Sequence, residues 1–226
     1  MTVARAVRKF VDEFDRPIDF TAGTANGYWG LKDTSSSGTP TYIGATSDGG
    51  SFTITLANTS EAETVTLYHE DQLFYDLAYL QHVWWILKVA SIDSATVLVA
   101  GVGSAQADDE DTMTVNAWFK MEGATSTTAL VVETDDNTTN NDDVATGTTL
   151  ATTYKKCHID FTDGLSDVKF FCDGSRVAES TTFDMSSVTS GQNVQPFLQL
   201  SKASGTGTPA VTIGQFGIQY EYAYGA

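Results

Sequence analysis

Apolar and polar residues alternate in short runs along most of this chain, and Gly, Asn, Asp and Ser clusters punctuate the runs. Phe52, Ile54 and Leu56 alternate with Thr53 and Thr55, as one face of a half-buried strand requires. Residues 64–68 repeat the pattern. Residues 83–89 read VWWILKV, and residues 97–102 form a second apolar run; both predict central strands buried on two faces. Residues 112–121 and 129–133 follow as strands, then a polar loop over 134–141.

The clearest predicted element is a hairpin over residues 154–173. Cys157, Ile159 and Phe161 share one face, and Val168, Phe170 and Cys172 share another. A turn centred on Gly164 and Leu165 sets Cys157 opposite Cys172. Asp173-Gly174 supplies the next tight turn. Residues 197–202, 211–213 and 216–222 close the chain as strands. About a dozen strands without a βαβ unit predict an all-β, antiparallel two-sheet jelly-roll sandwich.

The first residues break the pattern. Val3, Val7, Phe10, Val11 and Phe14 recur at helical spacing, with Arg5, Arg8 and Lys9 elsewhere on the wheel. Residues 1–16 therefore read as an N-terminal arm forming a short amphipathic helix, and residues 17–226 as the sandwich domain. Two readings of the arm stand: a segment docked on a partner, or one packed on its own domain.

The formal net charge of −17 makes nucleic-acid or anionic-membrane binding an unfavourable expectation. No apolar run approaches the ~18 residues of a membrane-spanning helix. The start of the chain lacks the apolar core of a signal peptide, so synthesis and folding in a reducing host cytoplasm are expected. Two cysteines form no disulfide framework there, and buried thiols are the reading taken.

Candidate chemistry is sparse. His69, His82 and His158 belong to no nucleophile motif, and GxSxG is absent. No catalytic residue is assigned, and the chain is read as a non-enzyme. Asp135, Asp136, Asp142 and Asp143 offer hard oxygen ligands for Ca²⁺, without EF-hand spacing, against the reading of a solvated acidic loop. Glu133-Thr134-Asp135 begins a Glu-x-Asp-x-x-Glu glycosidase pattern, but Thr138 stands where the second glutamate is required. Trp84 and Trp85 are neighbours, so a strand turns one to each face. Trp85, with a same-face stripe of Tyr220, Tyr222 and Tyr224, is the candidate subunit interface.

Several stretches resemble a family of tailed-phage virion proteins with a concanavalin A-like (LamG-like) jelly roll. They include Asn116-Ala117-Trp118-Phe119, Met121-Glu122-Gly123 and Val132-Glu133-Thr134-Asp135-Asp136. Further on come Ile159-Asp160-Phe161-Thr162, Leu165-Ser166-Asp167-Val168-Lys169-Phe170 and Gln195-Pro196-Phe197. The resemblance covers most of residues 28–220 and marks strand and turn positions, not an active site. It implies a place on the virion, as a head decoration (cement) protein on the capsid surface, often trimeric, with the major capsid protein as partner. The arm lies outside it. On the sequence pattern alone, Arg5, Val7, Arg8, Lys9, Phe10, Val11 and Phe14 are its expected capsid contacts. The alternative is a lectin-like glycan-binding module on a tail or fibre that mediates host attachment.

Overall fold

The computed structural model describes residues 5–15, 27–45, 49–189 and 191–223. Sixteen strands run through these residues. The first eight are β1 (Arg5–Asp12), β2 (Gly30–Asp33), β3 (Thr41–Ala45), β4 (Ser51–Thr55), β5 (Glu63–Tyr68), β6 (Tyr75–Asp76), β7 (Leu80–Ala90) and β8 (Thr96–Gly103). The second eight are β9 (Asn116–Glu122), β10 (Ala129–Asp135), β11 (Asn140–Thr149), β12 (Lys155–Asp160), β13 (Lys169–Cys172), β14 (Ser175–Val177), β15 (Asn193–Lys202) and β16 (Ala210–Ala223).

They form two eight-stranded antiparallel sheets. Sheet one has the order β14-β13-β12-β7-β16-β4-β3, and β1 continues the line of β4 along β16. Sheet two has the order β11-β10-β9-β8-β15-β5-β2, with β6 beside the start of β15. The sandwich expected from the alternating pattern is thus the observed architecture.

Parity along each strand decides what lies between the sheets. In β7, Val83, Trp85, Leu87 and Val89 point inward, and Trp85 donates from Nε1 to the Gly101 carbonyl of sheet two at 3.2 Å. Trp85 packs on Phe216 (4.6 Å between ring centroids) and on Trp29 (5.8 Å), forming an aromatic core with Phe14 and Phe52. Trp85 is 1 % exposed, so it is a core residue and not the subunit contact expected of it. Its neighbour Trp84 takes the outer face, between the Lys9 and Lys156 ammonium groups at 5.0 and 5.3 Å.

The hairpin forms as predicted, with Cys157 opposite Cys172 and both thiols buried and unbridged. Asp173 and Gly174 adopt positive φ (50° and 83°), the geometry of the tight turn into β14.

Two expectations are corrected. The helix expected in the N-terminal arm is strand β1, paired over eight residues with β16 from Arg5↔Ala223 to Asp12↔Phe216. Twelve residues make a marginal helix in water. Here Phe10, Asp12 and Phe14 turn inward with the period of a strand, and Phe14 is fully buried against Trp29. The polar loop expected over 134–141 is shorter than supposed. β10 runs on to Asp135 and β11 begins at Asn140, an edge strand with no continuous apolar face and hence no hydrophobic signature.

Candidate functional site

The outer face of sheet two carries polar chemistry on rigid strands. Asn116, Trp118 and Lys120 alternate onto this face of β9, and Glu133 and Asp135 onto the same face of β10, in the register Glu133↔Trp118 and Asp135↔Asn116. The segment between β8 and β9 folds back over part of the face. It buries a small second core of Val99, Met113, Trp118 and Phe197. Trp118 is therefore sealed beneath the segment and is not a stacking platform beside the acidic residues.

Next to that roof lies a cleft of about 260 Å³ lined by Asp111, Lys120, Glu133, Asp135, Asn140, Asp142 and Asp143. Asp111 descends from a 3₁₀ turn (Glu110–Thr112) whose first turn is capped by the Asp109 carboxylate. Asp142 and Asp143 are consecutive, and a regular strand would send them to opposite faces. The β10–β11 register shifts between Val132 and Thr134, so β11 carries an extra residue there, and Asp143 takes a positive φ of 49°. That β-bulge brings both carboxylates to the cleft.

Lys120 is the pivot. Its Nζ lies 3.0 Å from Asp111, 3.5 Å from Glu133 and 3.6 Å from Asp143. Burial works against the ammonium, but Glu133, Asp111 and Asp143 outweigh it and hold its pKa well above the usual lysine value. Burial pushes the Glu133 carboxyl up to about 7, and Lys120 pulls it only part of the way back. Asp135 is also raised, first by burial. The cleft thus offers several carboxylate acceptors and one ammonium donor on a fixed frame.

The four predicted calcium ligands do not converge. Asp135, Asp142 and Asp143 line the cleft, but Asp136 is buried away from it. The Asp136 carboxylate accepts from the backbone N–H groups of Thr138 and Thr139 (3.0 and 2.6 Å) and of Ser187 (2.9 Å). Among the described residues no group of three or more His, Cys, Asp or Glu side chains is disposed to hold a metal ion. Thr138, at the missing glutamate of the glycosidase pattern, sits in the β10–β11 turn.

The expected arm contacts scatter. Val7 is 56 % exposed, Arg8 and Lys9 are exposed, Phe10 and Val11 are half-buried, and Phe14 belongs to the core. Arg5 is paired through its backbone. Of the tyrosine stripe, Tyr220 is half-buried against Tyr75, Tyr222 pairs with Ala6 through its backbone, and Tyr224 lies outside the described residues.

Sequence reasoning missed Lys120 and Asp111 as parts of the site. Their local signals are one lysine in the strand of residues 116–122 and an acidic run over residues 108–111, and neither by itself points to the other.

No family model and no curated protein matches the chain. Solved structures do match over nearly its whole length. A mixed-linkage glucan GH16 protein of Bacteroides ovatus, in complex with a G4G4G3G product, has TM-score 0.62 at 10 % identity, covering 92 % of this chain and 99 % of that one. A protein described among endo-acting O-glycanases of the human gut microbiota has TM-score 0.58 at 11 % identity, covering 94 % and 98 %. The potassium-bound carbohydrate recognition domain of Emp46p has TM-score 0.54 at 7 % identity, covering 91 % and 96 %. The chain therefore has the concanavalin A-like jelly-roll fold that such lectin domains and glycan-active proteins share. At these identities the likeness defines the fold alone.

Proposed function

We propose that this chain is a glycan-binding module, without turnover, whose ligand lies in the acidic cleft on the outer face of sheet two. The observation that carries the reading is the convergence of strand-borne Lys120, Glu133 and Asp135 with the bulge-borne Asp142 and Asp143 in one open cleft. Sugar hydroxyls donate to carboxylates and accept from an ammonium. A frame fixed by backbone pairing meets them without reordering on binding.

A hydrolytic reading has one point in its favour: a carboxyl raised to about 7, as on Glu133, suits a general acid. We favour binding because the acids gather around the Lys120 ammonium. Retaining chemistry needs instead two carboxyls facing one another across a bond, about 5–5.5 Å apart.

The resemblance to tailed-phage proteins supports placing the module on a virion surface, where glycan binding would serve host attachment. Head decoration on the major capsid protein, as a trimer, is the second reading. The exposure of Val7, Arg8 and Lys9 along β1 favours it only as a strand-borne surface, not as an arm that reaches out.

The test is a glycan array with wild-type protein and Asp135→Asn, followed by incubation of any bound glycan to look for cleavage. The reading expects binding that Asp135→Asn abolishes and a ligand recovered intact. Cleaved product that Glu133→Gln suppresses would replace it with the hydrolytic one.

A further inference from the structure

A second concavity lies by β2 and β6, and β8, β15 and β5 separate β2 from the cleft strands in the order of sheet two. Five aromatic side chains line a hollow of about 360 Å³: Phe10 of β1, Tyr28 just before β2, Phe74 and Tyr75 at β6, and Tyr220 of β16. Tyr28 and Phe74 are the open lip, 62 % and 56 % exposed, large values for rings this size. The walls brace one another, Phe10 on Tyr28 at 5.6 Å and Tyr75 on Tyr220 at 5.1 Å between centroids.

His69 lies behind this lining. Its ring centroid is 6.2–6.3 Å from those of Phe10, Tyr28, Phe74 and Tyr75, and 4.7 Å from Trp29. The imidazole is 1 % exposed, and neither ring nitrogen has a hydrogen-bond partner. Native folds seldom leave such a group unmatched. A neutral imidazole carries one donor and one acceptor, and burial lowers the His69 pKa to about 4, so it is neutral across the physiological range. Phenol groups add polarity at the same place: Tyr220 and Tyr28 lie near enough to Tyr75 to raise its pKa further after burial has done so.

The segment bearing this lip is held in place. Gln195, itself fully buried, accepts from the backbone N–H groups of His69 and Asp71 (3.2 and 3.0 Å), and its amide donates to the Asp71 carboxylate (2.8 Å) and the Ser104 carbonyl (3.1 Å). The hollow is therefore a preformed concavity and not a gap between loose loops.

We propose that this hollow is a separate binding site for a single pyranose ring of a neutral sugar. The apolar C–H face of a pyranose stacks on Tyr28 and Phe74. Its hydroxyls meet the phenols of Tyr28, Tyr75 and Tyr220. The unmatched His69 imidazole lies directly behind these rings and senses their stacking when the hollow fills. A hydrocarbon ligand would leave the phenols unmatched. The hollow uses none of the cleft residues, so the proposal stands or falls separately from the cleft reading.

The experiment is NMR titration of the full chain with the methyl β-glycosides of glucose, galactose and N-acetylglucosamine, and with tetramethylammonium as a control cation. It follows the His69 imidazole nitrogens and the Phe74 and Tyr28 ring protons. The variants are Asp135→Asn, which alters the cleft, and Phe74→Ala and Tyr28→Ala, which sit on the exposed lip and leave the fold intact. The proposal expects saturable shifts at His69 with at least one glycoside, unchanged in Asp135→Asn and weakened at least tenfold in Phe74→Ala. Glycoside binding that Asp135→Asn removes and Phe74→Ala leaves untouched would overturn it and keep the cleft. Shifts at His69 with tetramethylammonium but with no glycoside would overturn it in favour of a cation cage. Silence from all ligands at these rings would overturn it outright.

Discussion

The acidic cleft and the aromatic hollow are built by opposite means. The cleft draws its side chains from neighbouring strands β9, β10 and β11 and a turn that leans over them, so pairing register and one bulge set its shape. The hollow gathers residues 10, 28, 74 and 75 from the first third of the chain and residue 220 from its far end, and one buried glutamine pins its lip. The first is charged and balanced around a single lysine; the second is neutral and balanced around an unmatched imidazole. Electrostatic pairing should therefore govern the integrity of the cleft, and ring packing that of the hollow.

Lys120 offers the strongest way to break this contrast. Lys120→Met leaves Glu133 buried beside Asp111 and Asp143 without a counter-charge. The expected loss is about 3 kcal/mol, on the scale of removing one partner of a buried pair. Urea unfolding at neutral pH measures it, and combining Lys120→Met with Glu133→Gln should restore most of the loss.

The stabilities of the two regions slope in opposite directions with pH. The folded pKa of Glu133 is raised from 4.5 to about 7, so folding favours its protonated form. Its contribution to stability is present in full below about pH 4.5 and is lost as pH rises through about 7. The folded pKa of His69 is lowered from 6.5 to about 4, so folding favours its neutral form. That contribution is present above about pH 6.5 and is lost as pH falls through about 4. Each effect is worth up to roughly 3 kcal/mol. In denaturation profiles from pH 4 to 8, Glu133→Gln should flatten the first slope and His69→Phe the second. His158, also lowered to about 4 with burial as the main cause, adds a slope of the same sign as His69 and should survive both variants.

Phe74→Ala should change stability by under about 1 kcal/mol, because the ring is more than half exposed, while removing the lip of the hollow. Unfolding curves that shift far more would make Phe74 a structural wall. Removal of Ca²⁺ by a chelator should have the smallest effect, with no change in melting temperature beyond error, since Asp136 is committed to three backbone N–H groups.

The sandwich was legible because its strands alternate. Cys157, Ile159 and Phe161 against Phe170 and Cys172 gave even the register of β12 and β13. The arm misled because Val3, Val7, Phe10, Val11 and Phe14 also fit a helix; pairing with β16, which no local pattern records, made it a strand. β11 went unseen because a polar edge strand leaves no hydrophobic trace. Half of the cleft was visible as the acid-rich stretches around Glu133 and Asp142. Lys120 and Asp111 joined them only through strand pairing and the fold-back of the segment between β8 and β9. Nothing in sequence links Phe10, Tyr28, Phe74 and Tyr220, so the hollow could only be seen in the folded chain.

Glycan binding through the cleft is decided by one glycan array probed in parallel with wild type and Asp135→Asn. A defined set of glycans should be bound by wild type and lost, or reduced at least tenfold, in Asp135→Asn. An array on which wild type binds nothing, or binds glycans equally well without the Asp135 carboxylate, would contradict it.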